Sequence, residues 1–236
     1  MQLTFTAVSP SPEELFNVLL KIVQPPVVAD IGSRDATESK RFKRLCPFAT
    51  VLAIEPHPAL YAKMLADTEV KALGVEPINF ALSDQRGTLK FYINDPKALN
   101  GSLRKTDETA AEVDVEVERL DNVVEGKAGQ PVFLWIDAEG LAWEVLAGAE
   151  KTLDRVACIH LEYETKVLFE GQRTLGDVKA ILARHGFRLW ADSYCREVSQ
   201  GNALFLRPTS LPMPAFLRFL LTYPWYAAKA VYRKLK

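Results

Sequence analysis

The sequence predicts an α/β protein built on a doubly wound, mostly parallel sheet of seven strands, with an antiparallel edge and an inserted hairpin. Three observations predict it: seven short apolar segments separated mostly by helical ones, two further segments that alternate apolar and polar side chains, and acidic residues after several of the apolar segments. The carboxyl ends of parallel strands form the ligand-binding edge of such sheets, so we expect these acids to meet in one crevice.

Residues 1–26 are predicted to contain one helix that precedes the sheet. Ser11 or Ser9 can cap this helix, Pro12 suits its first turn, and two prolines end it before the first strand. Its apolar face favours packing across the sheet over the alternative, a lid on the crevice.

Residues 27–58, VVADIGSRDATESKRFKRLCPFATVLAIEPHP, have the pattern of a strand, a tight turn, a helix and a second strand. Asp30 lies near the end of the first strand, Gly32 permits a sharp turn, and Glu55 follows the second strand. The two acids are therefore expected in one crevice. The alternative is that each acid simply ends its strand.

The turn after the first strand lacks the glycines of a dinucleotide site. Such a site needs G-x-G-x-x-G so that the backbone can approach a pyrophosphate, whereas here Gly32 is followed by Ser33 and three more non-glycine residues. S-Adenosylmethionine has no phosphate and carries an ammonium, a sulfonium and a ribose diol. Asp30 suits its cationic end, and Glu55 can accept both ribose hydroxyls. The sequence therefore favours S-adenosylmethionine as the cofactor.

The chain then continues through a further helix to a third strand over residues 75–82, which ends at Ser83 and Asp84. These two residues can hydrogen-bond an adenine amino group or form a turn. Residues 87–119 are predicted to be an insertion in a domain of residues 27–208. The insertion is a half-exposed antiparallel hairpin, and its polar loop is either a flap over the acceptor site or a plain solvated loop.

The most apolar strand candidate is QPVFLWID, residues 130–137, which must be central in the sheet. It ends at Asp137 and Glu139 and precedes a single helix, and a fifth strand over residues 157–161 ends at Glu162. One more helix and the two strands of the antiparallel edge complete the sheet, over residues 174–185, 187–191 and 202–206.

Charge and cysteine content narrow the functional class. The chain of 236 residues has a formal net charge of −1, but residues 209–236 carry five basic and no acidic residues, which leaves −6 for the rest. A body of that charge argues against nucleic-acid binding. Three widely spaced cysteines fit neither a disulfide framework nor a zinc site, and the first residues lack a signal-peptide pattern, so a cytoplasmic location is expected.

Residues 209–236 are predicted to be a basic, amphipathic, aromatic tail. From residue 211 onward apolar side chains recur at roughly helical spacing, with a kink expected at Pro224. The apolar run is too short to span a bilayer, which needs about 20 residues. The favoured interpretation is a helix that docks on the body or on a second subunit in a homodimer. The alternative is peripheral contact of residues 211–236 with the inner membrane surface.

Four sequence blocks taken together resemble the FkbM-type S-adenosylmethionine-dependent methyltransferases: DIGSRDATES, IEPHPALY, ALSDQRGTLKFY and FLWIDAEGLAWEVLAGAEKTL. The resemblance implies a Rossmann-like class I methyltransferase fold and methyl transfer to a hydroxyl of a sugar, glycan or secondary metabolite. Ala36 departs from the family pattern, because a second glycine often stands there. By position the resemblance implies these site residues: Asp30 and Gly32 in the cofactor turn, Glu55 on the ribose, Ser83 and Asp84 near the adenine, and Asp137 and Glu139 at the reaction edge. Ser33, Pro56 and His57 are further candidates for cofactor binding, and His57 is either an adenine-side contact or an exposed turn residue.

Transfer to a hydroxyl requires alignment of the acceptor oxygen and removal of its proton. Four titratable residues near the central strand ends are candidate bases, namely Asp137, Glu139, His160 and Glu162. Asp137 is favoured, since His160 lies between apolar neighbours and is better explained as a core residue. A Mg²⁺ ion held by Asp137 with Glu139 or Glu162 is an alternative that we do not favour.

Two other functional classes stay open at this level. One is a nucleotide-binding oxidoreductase, which the missing glycine fingerprint disfavours. The other is a non-catalytic scaffold, which the intact Asp30, Glu55 and Asp137 disfavour. The acceptor is expected to be a small molecule or a glycan.

Overall fold

The computed structural model describes residues 10–95, 100–103, 111–127, 129–167, 171–195 and 199–234. The strands in chain order are β1 (Val27–Ile31), β2 (Thr50–Ile54), β3 (Glu76–Ile78), β4 (Ala81–Leu82), β5 (Gly87–Asp95), β6 (Asn100–Ser102), β7 (Ala111–Glu118), β8 (Val132–Ile136), β9 (Val156–Glu164), β10 (Arg188–Cys195) and β11 (Gln200–Leu206). The helices are α1 (Pro12–Val23), α2 (Thr37–Leu45), α3 (Pro58–Ala66), α4 (Thr68–Leu73), α5 (Leu120–Val124), α6 (Ala142–Ala147), α7 (Glu150–Leu153), α8 (Leu175–Arg184) and α9 (Met213–Lys234), with a 3-10 turn at Pro208–Ser210.

The main sheet has seven strands in the order β10-β11-β9-β8-β1-β2-β3. From β9 to β3 all neighbours are parallel, whereas β11 pairs antiparallel with both β9 and β10. The prediction of a mostly parallel seven-stranded sheet with an antiparallel edge is confirmed. The carboxyl ends of β1, β2, β8 and β9 lie at one edge, where a ligand of an α/β sheet binds.

Helices cover both faces of the main sheet, because its parallel strands are apolar on both sides. On one face α1, α2 and α9 bury large aromatic rings against the sheet, among them Phe16, Phe42 and Phe219. On the other face α6 and α8 bury aliphatic side chains such as Leu146 and Leu182. The strand ends at the carboxyl edge are therefore held between two packed layers of helices.

Helix α1 packs across the sheet, as its apolar face predicts, and Ser11 is its cap. The Ser11 hydroxyl accepts the Glu14 N–H at 3.1 Å, and the Glu14 carboxylate accepts the Ser11 N–H at 3.3 Å. The Phe16 ring lies 5.7 Å from Phe133 and 5.4 Å from Trp135, measured between ring centroids. Since α1 covers the core, it does not act as a lid on the crevice.

The predicted hairpin is confirmed and forms part of a second sheet. Strands β5 and β7 pair antiparallel, and the four strands follow the order β4-β7-β5-β6. Of the predicted flap loop, residues 100–103 contribute β6 and its end, while residues 104–110 lie outside the described residues. This small sheet stands beside the carboxyl edge of the main sheet and forms one wall of the site.

Two predicted elements are divided in the structure. The strand expected over residues 75–82 is split, because Asn79 turns away and donates its amide to the carbonyl oxygens of Glu55 and Pro56, after which β4 joins β7. The single helix expected after Gly140 is broken into α6 and α7 at Gly148. A Cβ at Gly148 would lie 2.0 Å from the Ser83 carbonyl oxygen, so this close contact requires glycine and ends the helix.

Helix α9 runs without interruption through Pro224. Its inner residues Phe216, Phe219 and Tyr223 surround Trp190, with ring centroids between 5.8 and 6.3 Å away. Its outer side exposes apolar side chains, and Leu221 is 81% exposed. The first half of the tail thus docks on the body. No helix in the described part of the chain is both long and apolar enough to cross a membrane.

Candidate functional site

Two cavities open at the carboxyl edge of the main sheet. The first lies between the ends of β1, β2 and β8 and the small sheet, with about 680 Å³ of space that includes its open mouth, and its walls include Glu55, Phe80, Phe91, Leu103 and Glu139. The second lies beside α2 and α3, with about 930 Å³ of space counted in the same way, and its walls include Asp30, Ser33, Glu38, Leu60 and Lys63. Three residues line both cavities: Gly32, Arg34 and Asp137.

The turn after β1 brings the backbone of β1 and β8 into close contact. Gly32 has a φ of +80°, and a Cβ at this position would lie 1.9 Å from the Asp137 carbonyl oxygen. The N–H groups of Gly32 and Ser33 both donate to the Ile54 carbonyl oxygen, at 3.0 and 3.1 Å. Glycine is therefore required here both by conformation and by space. Ala36 also has a positive φ, 59°, at the start of α2.

Glu55 is fixed at the wall of the first cavity by main-chain donors. Its carboxylate accepts the Arg34 N–H at 2.9 Å and the His57 N–H at 2.8 Å. Burial raises the pKa of Glu55 to about 7, although both hydrogen bonds oppose that shift. Pro56 lines the same cavity. An anchored carboxylate in an apolar cavity is suited to accept hydroxyl groups of a ribose.

His57 is a buried helix cap. Its Nδ1 accepts the Ala59 N–H at 3.2 Å at the start of α3, and burial lowers the pKa of the ring. The ring is 5% exposed and contacts Phe91 edge-on, so the alternative of an exposed turn residue is wrong. Among the described residues, Nε2 has no hydrogen-bond partner.

Asp30 lies on the face of the sheet that α2 covers. It pairs in register with Trp135, and the Ser39 hydroxyl donates to its Oδ2 at 2.5 Å. Oδ1 has no hydrogen-bond partner in the part of the chain that the structure describes. Burial raises the pKa of Asp30 to about 7. Asp30 and Glu55 thus line different cavities, which meet at the turn between them.

Four carboxyl groups crowd the ends of β8 and β9. Burial, together with the charge of neighbouring carboxylates, raises the pKa of Asp137 to about 6 and that of Glu162 to about 8. The pKa values of Glu139 and Glu164 are raised by the same two causes. Asp137 and Glu139 line the first cavity, whereas Glu162 borders a separate shallow groove beside β10 and β11. Such carboxyl groups can take up a proton near neutral pH.

His160 lies in the core beside Trp135. The two rings stack at 3.5 Å with 8° between their planes, and Phe16 meets the imidazole edge-on. Burial lowers the pKa of His160 to about 3. The residue lines neither cavity, which agrees with the interpretation of His160 as a core residue.

Ser83 and Asp84 lie just beyond the wall of the first cavity. The Ser83 hydroxyl donates to Asp84 at 3.0 Å, and the Ser83 N–H donates to the Glu118 carbonyl oxygen. The residues that line the cavity are those immediately before them, residues 80–82. Contact of Ser83 and Asp84 with an adenine stays a prediction.

Sequence analysis missed Arg34 and the contribution of β6. Arg34 is the only basic residue in the segment DIGSRDA, a signal that was available in the sequence. No signal in the sequence indicates the contribution of β6, because it depends on a contact with a strand end that is distant in the chain. There the Ser102 hydroxyl donates to the Glu139 carbonyl oxygen at 2.9 Å and joins the small sheet to the main strand edge.

The donor set fits S-adenosylmethionine better than it fits a metal ion. The first cavity offers an anchored acid among apolar walls, and the second offers a buried acid with one oxygen unbonded among the described residues. A nucleoside and an ammonium need these features respectively. In the described residues, no group of three or more His, Cys, Asp or Glu side chains is arranged to hold a metal ion.

Comparison with known proteins gives the same result. The family model described as methyltransferase FkbM domain matches residues 27–189. The 2-O-methyltransferase NoeI of Sinorhizobium fredii (strain NGR234) is 28% identical over 173 residues, which cover 66% of this chain and 71% of that protein. The methyltransferase sdnD of Sordaria araneosa is 30% identical over 203 residues, which cover 71% of this chain and 75% of that protein. The chain therefore belongs to the FkbM methyltransferase family and is an S-adenosylmethionine-dependent methyltransferase.

Proposed function

We propose that the protein transfers a methyl group to a hydroxyl oxygen of a neutral sugar, glycan or related secondary metabolite. The observation that carries the proposal is that one cavity is lined both by Glu55, anchored by two main-chain N–H groups, and by Asp137, a carboxyl group with a pKa near neutrality. Glu55 can bind a ribose, and Asp137 can accept a proton from an acceptor in the same cavity.

The bound cofactor would supply a methyl group already activated by its sulfonium. The protein must then align the acceptor oxygen and take its proton. Asp137 is our candidate for the base, because it lines both cavities and so borders the junction where the reacting centre would lie. With a pKa of about 6 it is largely ionised at neutral pH and still basic enough to accept a proton. Glu139, on the same wall, is the second candidate.

The charge of the site supports a neutral acceptor. Glu139 and Asp137 line the first cavity, and the Glu164 carboxylate lies close enough to Glu139 to raise its pKa. Carboxylate or phosphate acceptors would be repelled there, whereas the hydroxyl groups of a sugar can donate to these carboxylates. The name of the relative NoeI, a 2-O-methyltransferase, supports transfer to oxygen.

The test is transfer of a labelled methyl group. The protein is incubated with S-adenosylmethionine labelled in its methyl group and with separate pools of neutral oligosaccharides, acidic oligosaccharides and amines. We expect label in the neutral pool, at a rate that falls sharply in Asp137→Asn. Label in the amine pool alone would contradict the proposal, as would cofactor binding without transfer to any pool.

We further propose that α9 brings the enzyme to an anionic membrane surface. The outer side of the helix exposes Met213, Leu217 and Leu221 at 65%, 52% and 81%, and residues 209–236 carry five basic residues and no acid. Exposed apolar side chains next to lysine and arginine are typical of interfacial helices. An acceptor glycan on a lipid carrier would then meet the site at the membrane.

Sedimentation with vesicles tests this localisation. We expect binding to vesicles of phosphatidylcholine mixed with phosphatidylglycerol, because basic segments are attracted to anionic lipids, and weak binding to vesicles of phosphatidylcholine alone. The double variant Leu217→Glu, Leu221→Glu should lose binding, while Leu65→Glu, a matched exposed leucine on α3, should keep it. Light scattering without lipid provides the contrary outcome. If the wild type had the mass of a dimer and the double variant the mass of a monomer, this surface would instead bind a second copy of the chain.

A further inference from the structure

Most charged groups around the two cavities are acidic. The carboxylates that line them are Asp30, Asp35, Glu38, Glu55, Asp137 and Glu139, whereas the cations among the described lining residues are Arg34 and Lys63. S-Adenosylmethionine carries a carboxylate of its own beside its two cationic groups. A carboxylate that enters a site rich in like charge is repelled unless a cation meets it. Arg34 and Lys63 are therefore the cationic side chains, among the described lining residues, that could bind the carboxylate of the cofactor.

Arg34 is placed where that cation is needed. Its main chain lies in the left-handed region, with φ at 51°, and its N–H donates to the Glu55 carboxylate at 2.9 Å. The residue is thereby tied to the wall that would bind the ribose, and it lines both cavities. Lys63, on α3, lines only the second cavity.

The second cavity also offers a partner for an ammonium group. Asp30 is 1% exposed, lines this cavity, and has one carboxylate oxygen without a hydrogen-bond partner among the described residues. An anion and a cation at one cavity are complementary to the zwitterion of an α-amino acid. The adenosine end would then occupy the first cavity, and Gly32, which lines both, would lie beneath the junction.

We propose that the second cavity binds the amino-acid end of S-adenosylmethionine and that Arg34 holds its carboxylate. This assignment rests on the proposed function. It makes Arg34 the residue that distinguishes cofactors with an amino-acid end from the nucleoside alone. Loss of the Arg34 charge then weakens the binding of ligands that carry the carboxylate and leaves the binding of ligands without it unchanged.

The experiment is calorimetric titration of two ligands into four proteins. S-Adenosylhomocysteine contains the amino-acid end, and 5′-methylthioadenosine lacks it. The proteins are the wild type, Arg34→Gln, Lys63→Gln and Arg86→Gln, the last a matched control whose side chain is 69% exposed on the small sheet and pairs with Glu118. We expect Arg34→Gln to weaken S-adenosylhomocysteine about 10- to 100-fold, the range for hydrogen bonds to a charged group.

Binding of 5′-methylthioadenosine shows that each variant is folded and separates the outcomes. It should be the same in all four proteins, and Arg86→Gln should match the wild type for both ligands. An equal loss of both ligands in Arg34→Gln would overturn the assignment, because Arg34 would then only support the turn. Loss in Lys63→Gln but not in Arg34→Gln would overturn it in favour of Lys63. If the wild type bound neither ligand, the proposed function would fail and this assignment with it.

Discussion

The two halves of the strand edge hold their acids in different ways. At the ends of β1 and β2, the cofactor half, Asp30 accepts a serine hydroxyl and Glu55 accepts two main-chain N–H groups. At the ends of β8 and β9, the acceptor half, four carboxyl groups lie close enough for neighbouring carboxylates to raise their pKa values. Burial raises pKa values in both halves, but the donors differ. Main-chain N–H groups hold Glu55, whereas side-chain amides donate to the acids at the end of β9, Gln172 to Glu164 at 2.8 Å and Gln200 to Glu162 at 3.3 Å.

This difference supports our proposal that the first half binds the cofactor and the second half accepts the proton. The two N–H donors hold the Glu55 carboxylate in one geometry whether or not a ligand is present. Such a preformed site suits a cofactor that is the same in every reaction cycle. Carboxylates that repel one another take up protons easily, which is what a base near neutral pH requires. We therefore expect substitutions in the first half to change affinity and substitutions in the second half to change rate.

Asp137→Asn gives the largest expected effect and tests the acceptor half. The amide keeps the size of the side chain but cannot accept the proton, so we expect kcat to fall about 100- to 10,000-fold, the usual contribution of a general base. The affinity for S-adenosylhomocysteine should change little. Initial rates and calorimetry measure the two quantities, and a variant that bound S-adenosylhomocysteine far more weakly at an unchanged kcat would reverse the roles of the halves.

Glu55→Gln tests the cofactor half. Each carboxylate oxygen accepts a main-chain N–H, so an amide NH₂ on one side faces a donor and leaves it without a partner. We expect S-adenosylhomocysteine to bind about 10- to 100-fold more weakly. Glu76→Gln, an exposed glutamate on β3, is the matched control and should bind as the wild type does. Equal affinities in both variants would remove Glu55 from the ribose site.

The pH dependence of binding sharpens the comparison further. Burial raises the folded-state pKa values of Asp30 and Asp137 above the ordinary 3.8 of aspartate, and that of Glu55 above the ordinary 4.5 of glutamate. These groups therefore stabilise the folded protein below pH 4, and that stability is lost as the pH rises through 6 to 7. A bound cation favours their ionised forms. We expect affinity for S-adenosylmethionine to increase several-fold from pH 6 to pH 8, with release of protons.

S-Adenosylhomocysteine lacks the sulfonium charge and serves as the comparison ligand. Its affinity should increase less over the same range, and Asp137→Asn should reduce the difference between the two ligands. Calorimetry in buffers of different ionisation enthalpy measures the released protons. An affinity for S-adenosylmethionine that decreased with pH would contradict the raised pKa values.

Ala36→Gly gives the smallest expected effect and tests the main-chain frame of the cofactor half. Glycine removes the strain of a left-handed alanine, about 1–2 kcal/mol, but loses a buried methyl group, about 0.8 kcal/mol, and adds chain entropy to the unfolded state, about 0.5–1 kcal/mol. These contributions nearly cancel, so the free energy of unfolding should change by less than about 0.5 kcal/mol. Denaturant titration measures it, and a large gain in stability would show that the turn is strained.

The sequence predicted the cofactor half better than the acceptor half. Asp30, Gly32 and Glu55 follow from short-range signals, because an apolar strand, a glycine and a second strand are contiguous in the chain. The position of the small sheet depends on pairing between β4 and β7, which are separated by a hairpin. The divided strand near Asn79 likewise depends on contacts with residues far away in sequence, so its pattern alone could not reveal the break.

The faces on which side chains lie were predictable only in part. The alternation along β9 indicated that His160 is a core residue, and the structure stacks it on Trp135. Asp30 and Glu55 line different cavities, although both lie near the ends of neighbouring parallel strands. That distinction depends on the positions of α2 and of the turn after β1, which cannot be predicted from residue spacing within one strand. The roles of the individual site residues therefore stay predictions for the experiments above.

The stack of Trp135 on His160 also gives the enzyme an internal optical probe. One face of the indole is covered by a ring that burial keeps neutral, while the indole also lines the second cavity. A charged ligand in that cavity would change the electric field at the indole and shift its fluorescence. Trp135→Phe should abolish the shift while the other three tryptophans remain. Binding of a charged ligand in the second cavity should thus be measurable by fluorescence alone, in real time and without a label.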